Sequence, residues 1–341
     1  MCVWSAYIGK KQAAAEVWKT GTAIEGIWGG FYTGIAAVDA SGIHCAKCCG
    51  YSKYWEEKFS LSDLPGNAGF FHSRTNSGGD EAWGHPFVGT NKHAVLMGQG
   101  SDGVFSDMSI WAAEGNKLAG KGKQFPARAY NVPLKRYPVL ADGAKVHVSE
   151  IMAQAVEAMY EETKDALATL RAIGTHLKEE AITLVMFHDQ PEKIYFINMN
   201  QSGVIYFTPE GAYAASSRLA FGLPLVKYTA IPLNCIGYFT AESFYSENLP
   251  DPGYPLLDRI PDGVYTAAVK YLRGNPGSLL AQITDGGFGP LFPSEGIRLR
   301  AIAAHRLAET LCAEGVAERK DDFLPGPCGT QGLVTRFYYK G

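Results

Sequence analysis

Apolar and polar residues in the first hundred positions follow the two-residue period of strands, broken by glycine-rich turns. Residues 3–8 read as a buried strand. Residues 34–39 and 43–49, joined by Ala40-Ser41-Gly42, predict a hairpin. Residues 68–72 and 93–97 are further apolar runs of strand length, each ending in polar or glycine residues. The pattern then loosens from Gly100 to Gly143, and residues 115–135, rich in Gly and Lys, read as a mobile surface loop. Over residues 149–177 the period becomes helical. Ile151, Ala155, Ala158, Met159, Leu167 and Leu170 recur at three- and four-residue steps, with Ser149 as N-cap. Strands are expected at 182–187, 194–199 and 204–208, and a short helix at 212–220. Many strands, one helical block and more strands indicate an α+β fold.

A boundary is expected in Asn248-Leu-Pro-Asp-Pro-Gly-Tyr-Pro255, where three prolines fall close together. Beyond it, residues 264–272 and 297–312 read as helices, with strands at 316–319 and 333–339. That order resembles a winged helix whose wing is residues 321–331. The division is therefore residues 2–245 and a small C-terminal α/β region, 246–341. The chain has 341 residues, 46% hydrophobic and 19% charged, with a net charge of -3. Nothing in that balance draws it to nucleic acid or an anionic membrane, and basic residues of the C-terminal region are nearly matched by acidic ones. No apolar run has membrane length, and the N-terminus lacks the charged-then-apolar layout of a secretory signal, so a cytoplasmic location is expected.

Seven cysteines with irregular spacing argue against a disulfide framework. Cys45-Ala46-Lys47-Cys48-Cys49 contains a C-x-x-C without a second pair at zinc-site spacing, and these thiols read as packing residues of a strand. No metal or cofactor is expected.

Cys2 is the sharpest chemical signal. Its small side chain permits removal of Met1, which frees an α-amine of pKa about 7.7–8.0 on the residue that carries the thiol. Nucleophile and base then share one residue and can attack an amide through a thioester. Arg74, after an apolar strand in Phe71-His-Ser-Arg-Thr-Asn-Ser-Gly-Gly79, can grip a carboxylate with its two-pronged donor. Gly98-Gln99-Gly100 ends a strand where a side-chain amide and a backbone N–H can face an oxyanion.

These stretches together resemble a class II glutamine amidotransferase domain, nearest the glutaminase half of glucosamine-6-phosphate synthase. The resemblance runs over residues 2–245, through Met1-Cys2, Glu25-Gly26-Ile27 with residues 34–42, His72-Ser-Arg74, Gly84-His-Pro-Phe-Val88 with the strand to Gly100, and residues 182–221. It implies an N-terminal-nucleophile (Ntn) αββα sandwich with Cys2 as nucleophile and Gln99 and Gly100 at the oxyanion. Arg74, Thr75, Ser77, Gly78 and His85 would line the substrate site. The implied partners are a small amide substrate, glutamine or an analogue, and an acceptor or synthase protein for the ammonia. The sequence departs from the family at Gln99, where an asparagine is usual, and at Thr75, Ser77 and Gly78, where tryptophan, threonine and histidine are usual. Val148 stands where an aspartate holds the substrate ammonium; Asp142, Glu150 and Asp102 are the acids that could replace it. Two readings follow: an active amidohydrolase, or an Ntn-fold binding or regulatory protein of weak or no activity.

Overall fold

In the early strands, successive side chains enter two different cores. The computed structural model describes residues 2–101, 108–132, 137–176, 180–222, 227–251, 253, 256–257, 259–292 and 300–341. The chain opens with β1 (Val3–Gly9), α1 (Ala13–Thr22) and α2 (Glu25–Trp28). The hairpin β2 (Tyr32–Asp39) and β3 (Gly42–Cys49) follows, then α3 (Ser52–Glu56), β4 (Ala68–Arg74), β5 (Phe87–Val88) and β6 (Ala94–Ser101). Next come α4 (Met108–Gly120), the short pair β7 (Arg128–Ala129) and β8 (Lys145–Val146), α5 (Val148–Thr163) and α6 (Ala166–His176). Seven strands complete this part: β9 (Glu180–Phe187), β10 (Ile194–Asn198), β11 (Val204–Thr208), β12 (Gly211–Ala215), β13 (Thr229–Ala230), β14 (Cys235–Phe239) and β15 (Phe244–Asn248).

One sheet has the order β13-β11-β12-β1-β4-β2-β3, and the other β15-β14-β10-β9-β6-β5. Trp4, Ala6, Ile8, Val38 and Phe70 of the first sheet pack on Val95, Met97, Leu184, Met186 and Phe196 of the second. The opposite face of the first sheet, with Tyr7, Ile35 and Phe71, is covered by Ala14 and Val17 of α1 and Trp55 of α3. Leu96, Val185 and Tyr195 on the outer face of the second meet Trp111, Ile151, Val156 and Leu170 of α4, α5 and α6. The layering is αββα.

The C-terminal region contains α7 (Val264–Gly274), β16 (Ser278–Leu279), α8 (Leu280–Gln282), α9 (Arg300–Ala313), β17 (Ala317–Pro325) and β18 (Gln331–Tyr339), its strands ordered β16-β18-β17. The two helices and two late strands expected in this region are present as α7, α9, β17 and β18, with β16 and α8 lying between the helices. The loop expected over residues 321–331 is shorter, because β17 runs through Pro325 and leaves residues 326–330 as the turn. Leu272, Ile283, Phe288, Leu307, Leu311 and Phe337 share a core with Val3, Ile24, Ile27 and Leu219, so this region packs on the start of β1.

Several expectations are corrected. Part of the stretch read as a mobile loop is α4, which buries Trp111, Gly115 and Leu118 at steps of four and three. The helical block is two helices, separated at Lys164, whose φ is 53°. Its N-cap is His147, not Ser149: the His147 side chain accepts from the Ser149 N–H. Residues 211–215 form β12 between β1 and β11, where small residues suit a buried central strand, and only Arg218–Phe221 makes a helical turn. Finally, Cys49 pairs with Cys328 as a disulfide, with Cα atoms 6.2 Å apart, within the usual span. The two lie 279 positions apart, a distance at which spacing carries no pairing signal.

Candidate active site

β1 and β4 pair antiparallel with Val3 opposite Ser73 and Trp4 opposite His72. Alternation from Trp4 and Phe70 therefore sends Cys2, His72 and Arg74 to the inter-sheet face at one end of the sandwich. The facing strand β6 brings Gly98 and Gly100. A Cβ on Gly100 would stand 2.0 Å from the Glu180 carbonyl oxygen, so only glycine lets β6 and β9 approach there.

A cavity of about 40 Å³ lies where these elements meet, lined among others by Cys2, Arg74, His85, Gly100 and Ser149. It has room for only a few water molecules. Of the residues expected at the site, the structure gathers Cys2, Arg74, Thr75, Ser77, His85 and Gly100 around it. Gly78 stands behind, its carbonyl accepting from Arg74 Nη1 at 3.0 Å. Gln99 does not line the cavity. Its side chain alternates to the other face of β6, where Nε2 lies 3.4 Å from Gln201 Oε1 and 3.5 Å from His305 Nε2 of α9. A larger cleft of about 610 Å³ opens elsewhere, against Gly9, Asp39, Asn67, Glu192 and Glu242, and no cysteine lines it.

Arg74 is 2% exposed. Its guanidinium stacks 4.7 Å over the Tyr32 ring and donates through Nη2 to the Tyr137 hydroxyl at 2.8 Å. Tyr137 in turn donates to the Ser77 carbonyl, and the Tyr32 hydroxyl to the Gly79 carbonyl, so the arginine and its turn are fixed together. Beneath them Glu25 accepts from the Thr33 and Ser73 hydroxyls and the Ser52 N–H. Burial pushes the Glu25 carboxyl up, against the lowering effect of those bonds.

Burial alone would raise the Cys2 thiol. The nearby His72 and the positive charge of the chain's N-terminus more than offset it and hold the thiol near pKa 6. His72 went unassigned at the sequence level, although it stands in the His72-Ser-Arg74 motif; the signal was its parity with Phe70. Its ring lies 4.1 Å from that of His85, and His85 lies 5.3 Å from His147. Neither ring nitrogen of His85 has a hydrogen-bond partner, and burial, helped by the nearby imidazoles and Arg74, keeps it neutral. The N-terminal end of α5, through Val148 and Ser149, closes the cavity and adds the positive end of a helix.

No carboxylate lines the cavity among the described residues. Glu150 turns away, accepting from the Ala127 N–H, and burial pushes it up to about 8. Asp142 pairs with Arg128 at the surface, and Asp102 lies outside the described residues. The three-imidazole cluster is not a metal set. The one group of ligating side chains with metal-like spacing among the described residues is His93, Glu157 and Glu161, where the Lys123 ammonium already binds both carboxylates.

No sequence-family model and no curated protein sequence matches the chain. Its fold does match: the αββα sandwich is that of the class II glutamine amidotransferases. Glutamine phosphoribosylpyrophosphate amidotransferase from B. subtilis, solved with ADP and GMP, aligns with a TM-score of 0.58 and 15% identity over 81% of this chain. A structure described as the allosteric regulatory enzyme of purine biosynthesis aligns at 0.58 and 15% over 80%. Each match spans 58% of the longer protein, and the likeness establishes the shared fold. No described helix is long and apolar enough to cross a membrane.

Proposed function

We propose that the chain is an Ntn amidohydrolase that cleaves glutamine or a related carboxylate-bearing amide through a Cys2 thioester, passing ammonia to an acceptor or partner protein. The observation that carries this reading is the meeting of Cys2, Arg74 and Gly100 from three strands around one cavity. Cys2 sulfur attacks the amide carbon, and the Gly100 N–H and the N-terminal end of α5 stabilise the oxyanion. The C–N bond then breaks, nitrogen leaves as ammonia, and water cleaves the thioester to the free acid. Arg74 holds the substrate carboxylate, with Thr75, Ser77, Gly78 and His85 shaping its surroundings. No cofactor takes part, and the domain division stays at residues 245 and 246.

Intact mass and active-site labelling test the reading together. The mature protein is expected to lack Met1 and to take up one equivalent of a diazo-ketone glutamine analogue at Cys2. Cys2→Ala should lose both the adduct and all amide turnover. The absence of a carboxylate among the described cavity-lining residues favours the other reading, a binding or regulatory Ntn-fold protein. A processed terminus that forms no adduct would decide for it.

A further inference from the structure

We infer that the hollow over Gly98 is the specificity-determining part of this cavity, where Ser149, Thr183 and His85 receive an uncharged hydroxyl in the place of glutamine's ammonium. The inference rests on the amidohydrolase reading above and names the substrate class within it: half-amides of α-hydroxy dicarboxylic acids.

The hollow exists because position 98 has no side chain. A Cβ there would stand 3.3 Å from Ser149 Oγ, 3.6 Å from Thr183 Oγ1 and 4.0 Å from His85 Nε2, so three polar atoms converge on one point. They come from three places in the fold. Thr183 is the partner of Gly98 in the β6–β9 pairing, Ser149 belongs to the first turn of α5, and His85 precedes β5. All four residues line the cavity that Cys2 and Arg74 also line.

His85 is 3% exposed, and neither of its ring nitrogens has a partner. A polar side chain buried in that way calls for a bound group to complete it. Burial keeps the ring neutral, so it can donate through one nitrogen and accept through the other. The Thr183 hydroxyl points its proton at Met152 Sδ, 3.5 Å away, which leaves its oxygen to accept. The set therefore suits a group that both donates and accepts, as a hydroxyl does. An ammonium is disfavoured by charge, because the lining holds the Arg74 guanidinium and no carboxylate among the described residues. With the amide at Cys2 and the carboxylate on Arg74, the hollow is a third point of contact, and three points distinguish the enantiomers of the α-carbon.

The test is the kcat/KM of ammonia release from both enantiomers of the α-hydroxy analogue of glutamine, and from the five-carbon amide acid that lacks the hydroxyl. One enantiomer is expected to exceed the unsubstituted acid at least ~10-fold, since a site built for a hydroxyl is left unpaired without it. Ser149→Ala and Thr183→Val should each bring that ratio below ~3. Gly98→Ala, whose methyl fills the hollow, should abolish it. Each ratio is taken within one protein, so a variant's stability and overall rate drop out. A wild type that treats the hydroxy and unsubstituted acids alike would overturn the inference whether or not the variants fold, and so would a ratio that survives all three substitutions. If no compound is turned over, the amidohydrolase reading fails on its own account, and calorimetric binding of the same compounds decides the hollow. The same preference in affinity would uphold it; equal affinities or no binding would sink it.

Discussion

Arg74 and the end of α5 make the floor of the cavity electropositive, and His85 adds a neutral ring whose two nitrogens await a donor and an acceptor. A carboxylate suits that floor. An ammonium meets no opposite charge from the described lining residues and stands near a fixed guanidinium, so a free α-amine should be a liability in the substrate. Glutamine whose amine is acetylated, or the five-carbon amide acid that lacks the amine, is expected to react with a kcat/KM at least ~10-fold above that of glutamine, the equivalent of about 1.4 kcal/mol. Steady-state ammonia release from the three compounds decides it, and a preference for glutamine would rule the idea out. Cys2, Arg74 and Gly100 could be read from the sequence because each belongs to a short motif with its own chemistry. His72 went unassigned, and Gln99, expected at the oxyanion, turns its side chain to Gln201 and His305 instead. Their roles depend on the face of a strand each occupies, and Gln99 stands one position, hence one face, away from the glycines that open the cavity.

Alternation served well wherever an element was packed on one side or ran as a continuous apolar stretch, as in β1, the β2–β3 hairpin, β9 and β10. It failed for β12, whose run of alanines between β1 and β11 looks helical until its partners are known, and for α4, whose apolar face is interrupted by Gly115 against Leu140 and Ile151. The docking of α9 was equally hidden. Glu309 of α9, with its side chain 4% exposed, accepts from the Ser217 hydroxyl, the Arg218 N–H and Arg218 Nε, the last at 2.7 Å. These bonds tie α9 to the turn after β12, which pairs directly with β1. Glu309→Ala leaves the arginine and a buried N–H unmatched and should cost about 3 kcal/mol, with Glu309→Gln recovering part of that. Urea unfolding with both variants measures it; a loss under about 0.5 kcal/mol for the alanine variant would show that the helix is held by its apolar face alone.

At the scale of the molecule, the C-terminal region is fastened to the sandwich in three ways: a shared apolar core with β1 and α2, the Glu309 contacts, and the Cys49–Cys328 disulfide between β3 and the turn of the β17–β18 hairpin. Composition gave the expectation of free thiols, and five cysteines are free as expected: Cys2, Cys45, Cys48, Cys235 and Cys312. The pair that departs from it joins residues so distant in sequence that only the folded hairpin brings them together. A cross-link closing so long a loop restricts the unfolded chain strongly, although a region already anchored by its core gains less than the full entropic effect. The expected gain is about 2–4 kcal/mol. Denatured protein should therefore titrate five thiols before reduction and all seven after it. Thermal unfolding should begin at a lower temperature in the presence of reductant, and Cys328→Ser should melt like the reduced wild type whether or not reductant is added. Seven titratable thiols in unreduced protein would show the pair to be open, and the hairpin would then be held by the Leu333 N–H donating to the Gly30 carbonyl and by the packing of Phe337.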